Sequence, residues 1–143
     1  LDNQDASDNK IDSHLAGSLY DMLPADPKTV NPAGSWNTVV IRVKDGQVTH
    51  TMNGVQVVSY TLWTPEWDKL VANSKFKNFP GFTEGIAKEG YIGLQDHGYP
   101  IWFRNIKIRF IGSTVALNDE ETKRFLRPAE SVVARCWTHR RCW

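Results

Sequence analysis

From Trp36 to Leu62 the chain alternates apolar and polar residues with a period of two, broken at Asp45-Gly46 and Asn53-Gly54. Successive side chains of a strand leave opposite faces, so this alternation specifies half-buried strands, and Asp-Gly and Asn-Gly favour two-residue hairpin turns. Val39, Ile41 and Val43 share one face of Trp36–Lys44, and Val48, His50 and Met52 share one face of Gln47–Met52. A third strand runs over Val55–Leu62, which completes an antiparallel meander. Thr64 is a helix cap and Pro65 suits a first helical position, so one short helix is expected over Pro65–Ser74, with Trp67, Leu70 and Val71 on one face. Phe76–Glu89 reads as a loop, because Pro80-Gly81 and Gly85 break any period. Two more strands are expected over Gly90–His97 and Ile101–Ile111, with Ile92, Leu94, Ile106 and Ile108 facing inward. Gly17–Leu23 is a further candidate strand. The pattern as a whole predicts an all-β antiparallel sandwich or barrel.

With 143 residues the chain has room for one core and a short appendage. The formal net charge of +1 gives no global field for nucleic acid or an anionic membrane, so a neutral or small partner is expected. No segment approaches the roughly 20 apolar residues of a membrane span. Leu1–Asn9 is acidic and polar, unlike a secretion signal, and a soluble chain is expected. The six tryptophans suit stacking on bases, sugars or lipids as well as core packing. Beyond residue 112 the strand pattern lapses. Lys123, Arg124, Arg127, Arg135, Arg140 and Arg141 against Glu121 and Glu130 mark residues 113–143 as a basic tail or linker after a domain over 1–112. Cys136 and Cys142 suit a disulfide or a pair of free thiols better than zinc, for which the local sequence lacks a fourth ligand.

The common nucleophile, metalloprotease and nucleotide-binding motifs are missing, and no closely spaced carboxylates mark a sandwich-type glycanase. The stretch richest in chemistry is Gly93-Leu-Gln-Asp-His-Gly-Tyr-Pro-Ile-Trp-Phe-Arg-Asn-Ile-Lys-Ile-Arg109. Strict alternation puts Asp96 with Ile92 and Leu94, and Arg104 with Trp102, Ile106 and Ile108. On that reading Asp96 and Arg104 form a supporting, partly buried ion pair. Gln95, His97, Asn105 and Lys107 leave the opposite face, where polar groups can meet a ligand, which favours His97 over Asp96 for catalysis. His50, between Val48 and Met52, reads as a hydrogen-bonded core or rim histidine. His14, in a polar loop, reads as exposed.

The same stretch resembles the closing strands of the 3-keto-disaccharide hydrolase domain family, within the concanavalin-A-like lectin/glucanase superfamily. The likeness extends backward in order through Leu1-Asp-Asn, Ala16-Gly-Ser-Leu-Tyr-Asp, Pro32-Ala-Gly-Ser-Trp-Asn, His50-Thr-Met-Asn-Gly-Val, Ser59-Tyr, Pro65-Glu-Trp and Ser74-Lys-Phe. It covers about Leu1 to Ile111. The resemblance implies a jelly-roll sandwich. It also implies that the first strands of the domain lie ahead of the block that Leu1 opens, so that a preceding segment or a second chain completes the sandwich.

A C3 ketone acidifies the proton at C2 of a sugar. The resemblance therefore implies cleavage by C2 deprotonation, elimination and hydration, with no need for paired carboxylates. His97 is then the candidate base, Gln95, Asn105 and Lys107 are candidate donors to the enolate oxygen, and Asp2 and Tyr20 fall in blocks that resemble ligand-side strands. No cofactor is implied, and no spacing calls for a metal. A carbohydrate partner and a periplasmic or extracellular location are expected, the latter in keeping with the cysteine pair. The alternatives are a lectin-like module without catalysis and a cell-surface assembly subunit.

Overall fold

A computed structural model describes residues 10–95, 100–111 and 132–138. Five strands form one antiparallel sheet: β1 (Trp36–Lys44), β2 (Gln47–Met52), β3 (Val55–Thr61), β4 (Ile101–Lys107) and β5 (Val132–Thr138). Their order across the sheet is β3-β2-β1-β5-β4. Two short helices, α1 (Pro65–Ala72) and α2 (Pro80–Thr83), follow the meander. The all-β antiparallel expectation is met, as is the meander with its two tight turns.

The turns form because their residues tolerate a left-handed backbone. Asp45 and Gly46 have φ of 50° and 80°, and Asn53 and Gly54 have 51° and 87°. Asn53 also closes a polar knot. Its Oδ1 accepts from Thr38 N at 2.9 Å, and its Nδ2 donates to Thr29 O at 2.7 Å and to Asn37 Oδ1 at 2.8 Å. Asn37 is buried, and its Oδ1 also accepts from Asn31 N at 2.7 Å. The buried Asn37 and half-buried Asn53 amides, satisfied in this way, tie the 29–31 loop to the hairpin.

Register shows which residues share a face. Val39, Ile41 and Val43 stand opposite Met52, His50 and Val48, so the two apolar rows of the sequence reading form one continuous core face. Met52, Val57 and Val58 are buried there with Ala16 and Ala25, and Leu19, Leu23, Val30, Val39 and Tyr60 pack against them. The cover comes from the segment before β1 and, through Trp67 and Val71, from α1. Thr64 Oγ1 accepts from Trp67 N at 3.2 Å and Pro65 occupies the first turn, as the sequence predicts. The helix stops at Ala72, two residues short of the expected end, because Asn73 caps it and Ser74 caps the next 3₁₀ turn.

Several expectations are corrected. Ile41, Val43 and Ile106 lie on the core face, yet they are 42%, 51% and 48% exposed. The cover reaches β2 and β3, and no described residue extends it over this half of the face. Ile92, Leu94 and Ile108 are likewise exposed. Residues 90–95 form no strand, since alternation alone cannot hold a strand without a ladder partner. Gly17–Leu23 is a run of turns with one isolated bridge between Leu19 and Leu23. Val132–Thr138, from the segment expected to be a tail, lies between β1 and β4.

Arg104 differs from the partly buried position expected of it, while the ion pair itself falls on Asp96, outside the described residues. The ladder shifts register between Arg104 and Lys107, where Asn105 adopts a φ of 55°. Asn105 and Ile106 together oppose Ala134, the partner of Val39, whereas Arg104 pairs with Arg135, the partner of Thr38. The bulge thus separates Arg104 from the apolar row that strict alternation gave it. Arg104 is exposed, with its guanidinium 3.8 Å from the centroid of the Trp36 ring. Such a contact is worth about 0.5–1 kcal/mol at an exposed site.

Candidate functional site

Two histidines anchor the segment before β1, and they do so differently. His50 is buried on β2, and its Nδ1 lies 2.9 Å from the Gly17 carbonyl, which places the ring proton on Nδ1. The Tyr60 hydroxyl approaches Nε2 at 3.5 Å, and the two rings meet edge to face at 5.6 Å. Gly17 can present its carbonyl here because its φ is 88° and a Cβ would stand 3.2 Å from Val57 Cγ2. Burial lowers the His50 pKa below the ordinary imidazole value, and the Gly17 carbonyl opposes this in part. The hydrogen-bonded core role expected of His50 is what the structure contains.

A depressed folded-state pKa means that the unfolded chain takes up the proton first as pH falls. The contribution of neutral His50 to stability is therefore fully present above about pH 6.5 and lost as pH falls toward the lower folded value. Urea midpoints should drop as pH falls below about 6.5, and His50→Gln should flatten that drop while lowering the midpoint at pH 7.5. A pH profile unchanged by the substitution would contradict this role.

His14 is the second anchor and the clearest departure from the sequence reading. It sits on a 3₁₀ turn, Asp12–His14, and is buried rather than exposed. Its Nε2 meets Asp21 Oδ1 at 2.8 Å. Asp21, held at a φ of 62°, uses Oδ2 to accept the Lys75 backbone N–H at 2.6 Å. The His14 hydrogen bond, then the Lys75 amide, hold the Asp21 carboxyl below its ordinary pKa, so it is ionised at neutral pH. The Tyr20 ring stacks on the His14 ring at 4.3 Å and 19°. The Lys75 ammonium lies 4.1 Å from the Tyr20 centroid and 5.4 Å from that of Phe76. A histidine–carboxylate couple, a tyrosine and a lysine thus converge from two segments far apart in the chain.

Of the residues expected at the site, Tyr20 belongs to this cluster. Gln95, Asn105 and Lys107 are exposed. The ladder shifts register between Arg104 and Lys107, with Asn105 inside the shift and Lys107 opposite Val133. His97, Asp96 and Asp2 lie outside the described residues, as does Cys142. His14, Asp21 and Lys75 were missed. The apolar Leu15-Ala16 directly after His14 was the available signal, whereas nothing local links Lys75 to Asp21. Among the described residues, no three His, Cys, Asp or Glu side chains come together as a metal site.

Comparison with known proteins gives this geometry a family. Residues 1–109 match the model of the 3-keto-alpha-glucoside-1,2-lyase-like domain. A 3-keto-disaccharide hydrolase of Bacteroides thetaiotaomicron is 40% identical over 122 residues, which cover 78% of this chain and 42% of that protein. The chain thus spans about two fifths of the length of this relative. The cluster residues His14, Tyr20, Asp21 and Lys75 lie within the matched residues, and the chain belongs to the 3-keto-alpha-glucoside-1,2-lyase-like domain family.

Proposed function

We propose that this domain cleaves 3-keto-glycosides by elimination followed by hydration. A base takes the proton from C2, and the C2–H electron pair moves toward C3 so that the ketone becomes an enolate. The enolate then collapses: the C3 carbonyl re-forms, a double bond forms between C1 and C2, and the C1 substituent leaves and is protonated to an alcohol. Water adds back with its hydroxyl on C1 and its proton on C2, and the balance is hydrolysis. His97 is the proposed base, because an imidazole is poised near neutral pH. Gln95, Asn105, Lys107, Asp2 and Tyr20 are the proposed sugar contacts.

Family membership carries this reading, and the name of the 40% identical relative supports the substrate class. The chemistry agrees with the sequence, since elimination beside a ketone needs one base and a stabilised oxygen rather than a pair of carboxylates. The half-covered core face supports a second proposal, that this sheet is one layer of a jelly-roll sandwich completed by a preceding segment or a second chain. A 3-keto-disaccharide and the same disaccharide unoxidised, given to the protein at equal concentration, test the function. Cleavage of the keto form alone is expected. Comparable cleavage of both would overturn the reading, and sugar binding without cleavage would favour a lectin-like module.

A further inference from the structure

We propose that Lys75, held over Tyr20, is the cation that stabilises the C3 oxygen as it takes on negative charge. The inference rests on the reading above and assigns to one residue a task the reaction requires. Deprotonation at C2 delivers a full charge to that oxygen, and a group fixed beforehand at the right place stabilises it without reorganising.

Lys75 has the features of such a group. Both ends of the residue are positioned by the same small cluster: its backbone N–H is donated to Asp21 Oδ2, and its ammonium rests on the ring that Asp21 fixes indirectly through His14. Asp21 is committed through its two oxygens to His14 and to the Lys75 backbone, so its charge is felt by the lysine head group without a direct salt bridge to it. Among the described residues the ammonium meets no carboxylate, in contrast to Lys28, which lies 2.7 Å from Asp12 Oδ1. The residue is exposed, and the rings of Tyr20 and Phe76 flank its charge. A cation walled by aromatic rings suits a keto-sugar, because the rings accept the C–H surface of the sugar while the ammonium meets its oxygen.

Steady-state kinetics on a 3-keto-disaccharide test this with Lys75→Gln, Lys75→Arg and, as a surface control, Lys77→Gln. Lys75→Gln should lower kcat by about 10²–10³-fold with KM changed by less than about threefold. The thermal midpoint should not move, since the backbone bond to Asp21 survives the substitution. Lys75→Arg should recover at least about tenfold of the loss, and Lys77→Gln should behave as wild type. Wild-type turnover with Lys75→Gln equally active would overturn the role of Lys75 alone. A wild-type protein that leaves the keto-sugar uncleaved would overturn the functional reading and this inference with it.

Discussion

Replacing His97 by glutamine is expected to lower turnover of a 3-keto-disaccharide by about 10²–10⁴-fold, the usual worth of a positioned general base. Glutamine keeps hydrogen-bonding capacity but cannot carry a proton away from C2 at neutral pH. The loss should therefore fall on kcat, with the thermal midpoint close to wild type. His50→Gln serves as the contrast, because His50 is buried and bonded to Gly17 and its loss should appear in the melt. Initial rates and melting curves on the two variants separate these outcomes. A His97→Gln protein with wild-type kcat would move the base elsewhere.

Trp67→Ala is expected to cost about 3–5 kcal/mol of stability, the range for truncating a buried aromatic residue. Trp67 is 6% exposed and stacks at 5.7 Å on Tyr60 and at 6.3 Å on Phe82, so it joins α1 to β3 and to α2. A helix of eight residues does not persist alone in water, and its order depends on this contact. Trp63 is 47% exposed, and Trp63→Ala should cost at most about 1 kcal/mol. Urea unfolding of the two variants checks the difference; equal losses would show that α1 is held by something other than Trp67.

The meander was legible because each of its determinants is local. Asp45-Gly46 and Asn53-Gly54 require a backbone that few other pairs adopt, and the rows Val39-Ile41-Val43 and Val48-His50-Met52 fix the register between them. The cap at Thr64 was legible for the same reason. Whether Ile41 and Val43 are covered is a property of what lies above the face, which alternation does not encode. The β4 bulge was hidden too: one left-handed residue, Asn105, changes the facing of every residue after it, and asparagine in a strand is weak warning of that. The His14–Asp21–Tyr20–Lys75 cluster depends on a contact between residues 54 apart in sequence, Asp21 and Lys75, which no motif spacing records. The family resemblance pointed to Tyr20 because it weighs blocks rather than contacts.

Cleavage of a 3-keto-disaccharide in heavy water tests the account at its centre. If C2 deprotonation precedes departure of the C1 substituent and water then adds back, the 3-keto-sugar released should carry solvent deuterium at C2, seen by mass spectrometry and by loss of the C2 proton signal. Product that forms at the full rate with protium retained at C2 would contradict elimination and hydration.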